Sequence, residues 1–581
     1  MNSLRNEFDL NDELQKLAPY EEYVLPSKTI TVDELYLSKP VYLTGSPDSC
    51  IIVKGRIVAH LERSYGAFTT RQRRLEAIFK DHTCEKNGVV FSMTRNRVII
   101  SGIRFVYKPD SLINNTGGQS TLFEISPQTT VTISGCHISS SAQIRHQHLS
   151  IFTRADYFEN SPEFAVMRAV ISIESCTLTG FDHVYEERTN VHSLLINRTQ
   201  ITDIRSDAIS ISKQSDFCIE NSTFSNCIGS QILVLAISNS SPYPKPPSKK
   251  PQQLTFNNKM IQLAGTGSSM GYRQQQDQSQ PFSNAAGESR NRMMPIESND
   301  PASTPTGFSF IRNVNFLQNS AVCIVIDEQP SDDRGRVYFN VKDCTFESNI
   351  YSCITVRRNR CVSTNIVNCR FSKNSVTVLD FSSSLNAKIV SCKFEDNTAA
   401  IVNCKDTALL FTKCVCYRNK CGLIISNTPG LSLLCFVNIL QNRFDGTEFD
   451  ALEVTPCNDL LRVSIQINIV ANCRNGFVIN SMAIPPHWSS PIVDSLDNDV
   501  VECKEYGYLV LGSRVQLTLK QDLIKDNGLG AICIQSGGFD NPEQLAKCLV
   551  LDSRCPPKIT GKVNIDGQIE SYNEKSRCTL I

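Results

Sequence analysis

The sequence predicts an all-β fold: a right-handed parallel β-helix solenoid of about fourteen rungs, with a short N-terminal capping helix and one long disordered loop. Three observations carry the prediction. A phrase repeats as Val341-Lys-Asp-Cys344-Thr-Phe346-Glu-Ser-Asn349, Ile366-Val-Asn-Cys369-Arg-Phe371-Ser-Lys-Asn374 and Ile389-Val-Ser-Cys392-Lys-Phe394-Glu-Asp-Asn397, then as Leu410-Phe-Thr-Lys-Cys414-Val-Cys416-Tyr-Arg-Asn419. Its apolar anchor recurs at Phe316, Phe346, Phe371, Phe394, Cys416, Ile439, Ile469, Val500 and Ile524, at intervals of 22 to 31 residues. Fainter copies stand at Phe105, Ile138, Leu178, Ile201 and Phe224. Within each copy apolar and polar residues alternate, which is the period of a strand and not of a helix.

At the N-terminus, residues 1–28 are assigned to a cap. Asn11 to Leu17 has the pattern of a short amphipathic helix, with Asn11 as N-cap ahead of Asp12 and Glu13. A helix there covers the open first rung and blocks strand pairing with other chains. Residues 29–237 hold the N-terminal rungs, beginning with strand-like runs at Thr29 to Val32, Val41 to Leu43, Ile51 to Val53 and Arg97 to Tyr107. The arginine-rich stretch Tyr65 to Glu85 reads as an inserted helix or loop.

The pattern collapses over residues 238–306, which are rich in Pro, Ser and Gln. Such a stretch buries too little apolar surface to order itself. Pro244 and Pro247, in Pro244-Lys-Pro-Pro247, give it polyproline character and make it a candidate ligand for an SH3-type domain. The rungs resume over 307–555, and 556–581 forms a C-terminal tail with a short strand-turn extension.

The repeat assigns structural roles to two sets of side chains. Asn319, Asn349, Asn374, Asn397, Asn419, Asn442, Asn472 and Asn527 each follow an anchor by three residues and are expected to stack as an amide ladder inside one corner. Turn asparagines scattered over the surface are the alternative, and the fixed offset favours the ladder. Cys344, Phe346, Cys369, Phe371, Cys392, Phe394, Cys414 and Cys416 are expected to stack in the core. Of the 24 cysteines, Cys136 and Cys176 share the position two before the anchor. Their periodic placement reads as small apolar packing in a reducing compartment, without disulfides or zinc.

Composition narrows the function. Lys plus Arg and Asp plus Glu both number 58, so net charge is zero. With no long basic block, nucleic acid is not an expected partner. No apolar run is long enough to span a membrane, and Met1 to Tyr23 lacks a secretory profile, so a cytoplasmic location is expected. The terminal Cys578-Thr-Leu-Ile581 has the form of a prenylation signal on Cys578. A membrane becomes a partner only if that cysteine is modified, and then peripherally.

Glycoside hydrolysis needs paired carboxylates, and the pattern of galacturonases adds Gly-His-Gly and Arg-x-Lys on adjoining rungs. Here the fragments Asp332-Asp333, Arg418-Asn-Lys420 and Asn564-Ile-Asp566 are scattered and out of order, and no Gly-His-Gly occurs. The nearest lyase-like charge groups are Asp203 and Asp207 around Arg205, and Glu186 and Glu187 with Arg188. A loop charge cluster is more often a solvated face. No catalytic, cofactor-binding or metal residue is therefore assigned, and no cofactor is expected.

Asn472-Cys-Arg-Asn-Gly-Phe-Val-Ile479, Asp526-Asn-Gly-Leu-Gly-Ala-Ile-Cys-Ile534, and Val41-Tyr-Leu-Thr-Gly45 ahead of Ile51-Ile-Val53 resemble the pectin-lyase-like β-helix domains of the Shc SH2-domain-binding protein family and of β-helix-bearing F-box proteins. The resemblance implies a non-catalytic scaffold that binds other proteins. An F-box needs a Leu-Pro-x-Glu helix, whereas Leu25-Pro-Ser-Lys28 ends in the opposite charge. A polysaccharide lyase or hydrolase, or a carbohydrate-binding β-helix, is the rival reading of the same fold.

Overall fold

The structure, a computed structural model, describes residues 9–46, 48–61, 97–109, 120–126, 129–141, 149–154, 169–186, 192–211, 216–235, 308–326, 337–357, 362–429, 434–484, 489–536 and 547–572. The chain coils through three parallel sheets, visiting them in the same order on every turn. One turn runs Val337–Lys342 in the first sheet, Thr345–Glu347 in the second and Ile354–Arg357 in the third, before Val362–Val367 re-enters the first. Each strand pairs in register with its equivalent one turn on, as in Val341 with Ile366, Phe346 with Phe371 and Ile354 with Leu379.

Among the described residues the first sheet has seventeen strands, against the fourteen rungs expected from the repeat. The difference lies at the ends. Glu22–Val24 and Tyr42–Thr44 already belong to that sheet, and Leu549–Leu551 closes it. These terminal turns lack the asparagine phrase, so a count of phrases passes over them. Glu22–Val24 also lies inside the stretch assigned to the cap.

The first corner explains why the phrase is regular. From the turn that starts at Arg97–Ser101 to the one that starts at Gln516–Lys520, two residues link the first sheet to the second. The first of the two is left-handed, as at Asp343, Asn368, Ser391, Lys413 and Gln441, and the second points inward. A left-handed residue reverses the chain in one step, which is why Asn, Asp, Gly and Ser recur there. A second left-handed residue follows each middle strand from Thr177–Thr179 to Leu523–Lys525, as at Ser348, Lys373, Asp396 and Arg418.

Connections from the third sheet back to the first obey no such rule. They range from 406–407 to the whole of 236–307. Residues 242–304 separate as a unit of their own and lie outside the described residues. The turns on either side are neighbours: Asp216–Glu220 pairs with Phe308–Arg312, and Gln231–Leu235 with Val322–Ile326.

Both ends are covered. The helix Leu10–Lys16 buries Leu10 and Leu14. Its N-cap is Asp9, whose side chain accepts from the Asn11 amide, and not Asn11. Asn11 instead acts on the edge strand: its Nδ2 donates to the Glu34 carbonyl at 2.8 Å, and its Oδ1 accepts from the Tyr36 amide at 2.9 Å. One side chain thus imitates a neighbouring strand where none exists. At the other end, Gln568–Tyr572 folds back antiparallel on Gly561–Ile565.

Candidate interaction surface

The interior is sealed by columns of identical side chains. In the second corner, Asn319, Asn349, Asn374, Asn397 and Asn419 form a continuous ladder. Asn349 Nδ2 donates to Asn374 Oδ1 at 3.1 Å, Asn374 Nδ2 to Asn397 Oδ1 at 3.0 Å, and Asn397 Nδ2 to Asn419 Oδ1 at 2.8 Å. Each amide also serves the backbone, as Asn374 Nδ2 does by donating to the Phe346 carbonyl. All five are buried. Asn527 keeps the role further along, its Oδ1 accepting from the Cys503 amide.

Two of the expected ladder members stand elsewhere. Asn442 occupies the first corner, where it joins a second ladder with Asn468 and Asn498 that the repeat did not disclose. Asn472 is a left-handed, exposed turn residue whose Nδ2 donates to Asp445 Oδ1. Both errors have one cause. The anchors after Cys416 are Phe444 and Val470, not Ile439 and Ile469. Ile439 lies in the first sheet, and Ile469 faces solvent. Asn442 in the first corner mimics the phrase of the second, so the register slips.

The second ladder ends on a buried carboxylate. Asp522 Oδ1 accepts from Asn498 Nδ2 at 2.8 Å, from the Asn498 amide at 3.0 Å and from Ser495 Oγ at 3.0 Å. Ser495 Oγ also lies 2.7 Å from the hydroxyl of the buried Tyr508. Burial pushes the Asp522 carboxyl above its usual value despite these donors.

In the first corner, Cys344, Cys369, Cys392 and Cys414 fill the equivalent position on successive turns, all buried and free. Burial pushes the Cys369 and Cys414 thiols well above the usual range, while hydrogen bonds from those two neighbours hold Cys392 between them below it. Beside them the aromatic rings of Phe346 and Phe371 stack at 4.8 Å, and those of Phe371 and Phe394 at 4.9 Å. Cys416 continues this column at the next level.

The charge groups weighed for chemistry resolve into structural contacts. Arg205 Nε lies 3.1 Å from Asp182 Oδ1, and Asp182 Oδ2 accepts from the Leu149 amide. Asp203 is a left-handed turn residue whose carboxylate accepts from Thr179 Oγ1. The Asp207 carbonyl lies 2.7 Å from His183 Nδ1. Arg418 pairs in bidentate fashion with Asp396, and Asp566 accepts from the Ser536 amide. Among the described residues no group of three or more His, Cys, Asp or Glu side chains is placed to hold a metal ion, and no helix is long and apolar enough to cross a membrane. Glu187, Arg188, Pro244, Pro247, Asp332, Asp333 and Cys578 lie outside the described residues, as does the side chain of Glu186.

Solvent-facing features were less legible. On the second sheet, Glu395 meets Lys393 at 2.8 Å, Arg370 at 3.4 Å and Arg418 at 3.7 Å, a network spread over neighbouring turns. Such exposed pairs contribute little to stability. Further along, apolar side chains take over. Ile467 is 45% exposed and Ile469 44%. Ile467 is also left-handed, at φ 55°, where an L-residue with a branched β-carbon is strained. Around that corner, the outer face of the first sheet presents Phe436, 48% exposed, and the half-buried Leu410 and Leu440.

Residues 331–524 match the family model for the right handed beta helix region, and the fold is that of a right-handed parallel β-helix. Solved structures similar to it include a GH87 alpha-1,3-glucanase catalytic domain in complex with nigerose, at 8% identity and TM-score 0.28, covering 90% of this chain and 69% of that one. The periplasmic alginate epimerase AlgG matches at 9% identity and TM-score 0.22, over 76% of this chain and 74% of its own. PfbA, a surface adhesin of Streptococcus pneumoniae, matches at 12% identity and TM-score 0.23, over 92% and 91%. At these identities and scores no functional residue carries across. No curated protein matches the chain.

Proposed function

We propose that this right-handed β-helix is a non-catalytic scaffold that recognises other proteins along the edge where its third sheet returns to its first. One observation carries the reading: the longest connections, 60–96, 155–168, 236–307 and 536–548, all leave from that edge, while the first corner keeps two residues over turn after turn. Loops of unequal length on a rigid frame are how a regular fold acquires a specific binding surface. The connection 236–307 also carries Pro244 and Pro247, whose polyproline character suits an SH3-type partner. Among the described residues, Asp182 and Arg205, Asp396 and Arg418, and Asp566 are engaged with one another or with the backbone, which supports the same reading.

The test compares proteins captured by the full chain with those captured by a variant whose connections 236–307, 327–336 and 481–491 are cut to the length of 406–407. Loss of specific partners from the shortened variant, with its melting midpoint kept, is the expected result. An unchanged partner set would overturn the assignment of the edge. Release of unsaturated or reducing sugar from acidic polysaccharides, abolished by Arg205→Ala, would replace the scaffold with the carbohydrate-active reading.

A further inference from the structure

The outer face of the first sheet changes character along the axis of the helix. In one outward column, residues paired from turn to turn run Lys388, Leu410, Asn438, Ser464, Asp494. The adjoining corner runs Lys413, Gln441, Ile467, Asp497 in the same direction. Along these two lines one end is therefore basic, the middle neutral or apolar, and the other end acidic, while in the next outward column Arg462 stands exposed beside Phe436. Lys388, Lys413, Asp494 and Asp497 form no ion pair among the described residues, although unlike charges nearby do pair. Between the two ends, Phe436 and Leu440 stand on a single strand, Cys435–Leu440, with Phe436 about half exposed.

We propose that this face binds a second copy of the chain, with the two helices antiparallel. A two-fold axis lying in the face and running along the strands reverses the helix axis yet leaves each outward column opposite itself. If it passes near Cys435–Leu440, Lys388 of one copy meets Asp494 of the other, and Phe436 meets its own equivalent. Lys413 then approaches Asp497 with a mismatch of about one strand spacing, roughly 4.8 Å, which a lysine side chain spans. The arrangement is isologous, so each charged contact forms twice and the apolar centre closes on itself. A gradient from positive to negative about an apolar middle is complementary to its own reverse. This observation singles out a second copy over an unrelated partner, and it is independent of the loop edge.

The experiment is sedimentation of the full chain over a range of concentrations, with two single charge reversals, Lys413→Asp and Asp497→Lys. The wild type is expected to associate to a dimer. Each variant alone places like charges opposite each other and should raise the dissociation constant tenfold or more, roughly 1.4 kcal/mol. An equimolar mixture of the two restores both unlike pairs and should recover the dimer. Both substitutions are at exposed left-handed positions that already accept Lys or Asp, and unchanged melting midpoints serve as the control for folding. A wild type that stays monomeric throughout overturns the proposal. So do variants that dimerise as well as the wild type, or a mixture that stays as weak as its components.

Discussion

Phe411 supplies the ring that Cys416 lacks. Cys416 falls in the aromatic column of the second sheet, between Phe394 and Phe444. Phe411, from the first sheet, reaches into that level with its ring centroid 5.9 Å from Phe394 and 6.1 Å from Phe444. The small thiol and the intruding ring therefore share one volume.

Cys416→Phe is expected to overpack that level and cost about 1 to 3 kcal/mol. Phe411→Ala opens a cavity and costs about 3 to 5 kcal/mol. The double substitution moves the ring back into its own column and should cost clearly less than the sum of the two. Chemical denaturation of the four proteins measures the coupling, and strict additivity would show that the side chains do not compete.

Removing one rung of the amide ladder strands its neighbours. Both Asn349 Nδ2 and the Asn349 amide donate to Asn374 Oδ1. Asn374→Ala leaves the buried Asn349 backbone N–H and one of its two Nδ2 hydrogens without an acceptor, at about 3 kcal/mol. Asn472→Ala, at an exposed turn, should cost under about 1 kcal/mol. Equal shifts in the denaturation midpoint would mean that the ladder adds nothing.

The Asp522 carboxyl is raised by burial, so the folded state binds its proton more tightly than the unfolded state. Its stabilising contribution is then fully present below the unfolded value and is lost as pH rises through the folded one. Asp522→Asn removes the charge and extends the amide ladder by one member. The variant should gain stability relative to the wild type as pH rises from the acid range to neutrality. Melting midpoints across that range check the sign, and a constant difference would place the charge elsewhere.

Ile467→Asn should separate stability from association. Asparagine tolerates the left-handed region that strains isoleucine, so the variant is expected to be more stable by about 1 kcal/mol. It should also weaken the proposed self-association, read by calorimetry and sedimentation on the same samples. A destabilised variant would indicate that Ile467 packs within its own chain.

Deleting 242–305 is expected to leave a cooperatively folding chain, with stability changed by less than about 1 kcal/mol. The ground is the direct pairing of Asp216–Glu220 with Phe308–Arg312 across the excised segment. Loss of soluble, cooperatively melting protein would give the segment a structural role.

The alternation in Cys344-Thr345-Phe346 and the constant spacing from Phe346 to Asn349 made the strands, the aromatic column and one amide ladder readable. Both are local, since each turn repeats the same short-range demands. The slip at Ile439 and Ile469 came from the same source, because Asn442 meets the demand of one corner with the residue typical of another. The outer face was not readable in this way. Lys388 and Asp494 are far apart in sequence and share a column only because the coil has a definite register, and nothing in either local phrase announces that alignment.

The rigid first corner and the open return edge also divide the chain by its tolerance of change in length. One extra residue between Lys342 and Thr345 would turn Phe346 outward and its polar neighbours inward, and the fault would pass to the turns stacked on it. An insertion between the third sheet and the first alters no register at all. Insertions and deletions that survive selection should therefore gather along one line of the molecule, as should exon boundaries, epitope tags and grafted domains. The opposite corner should vary only by substitution.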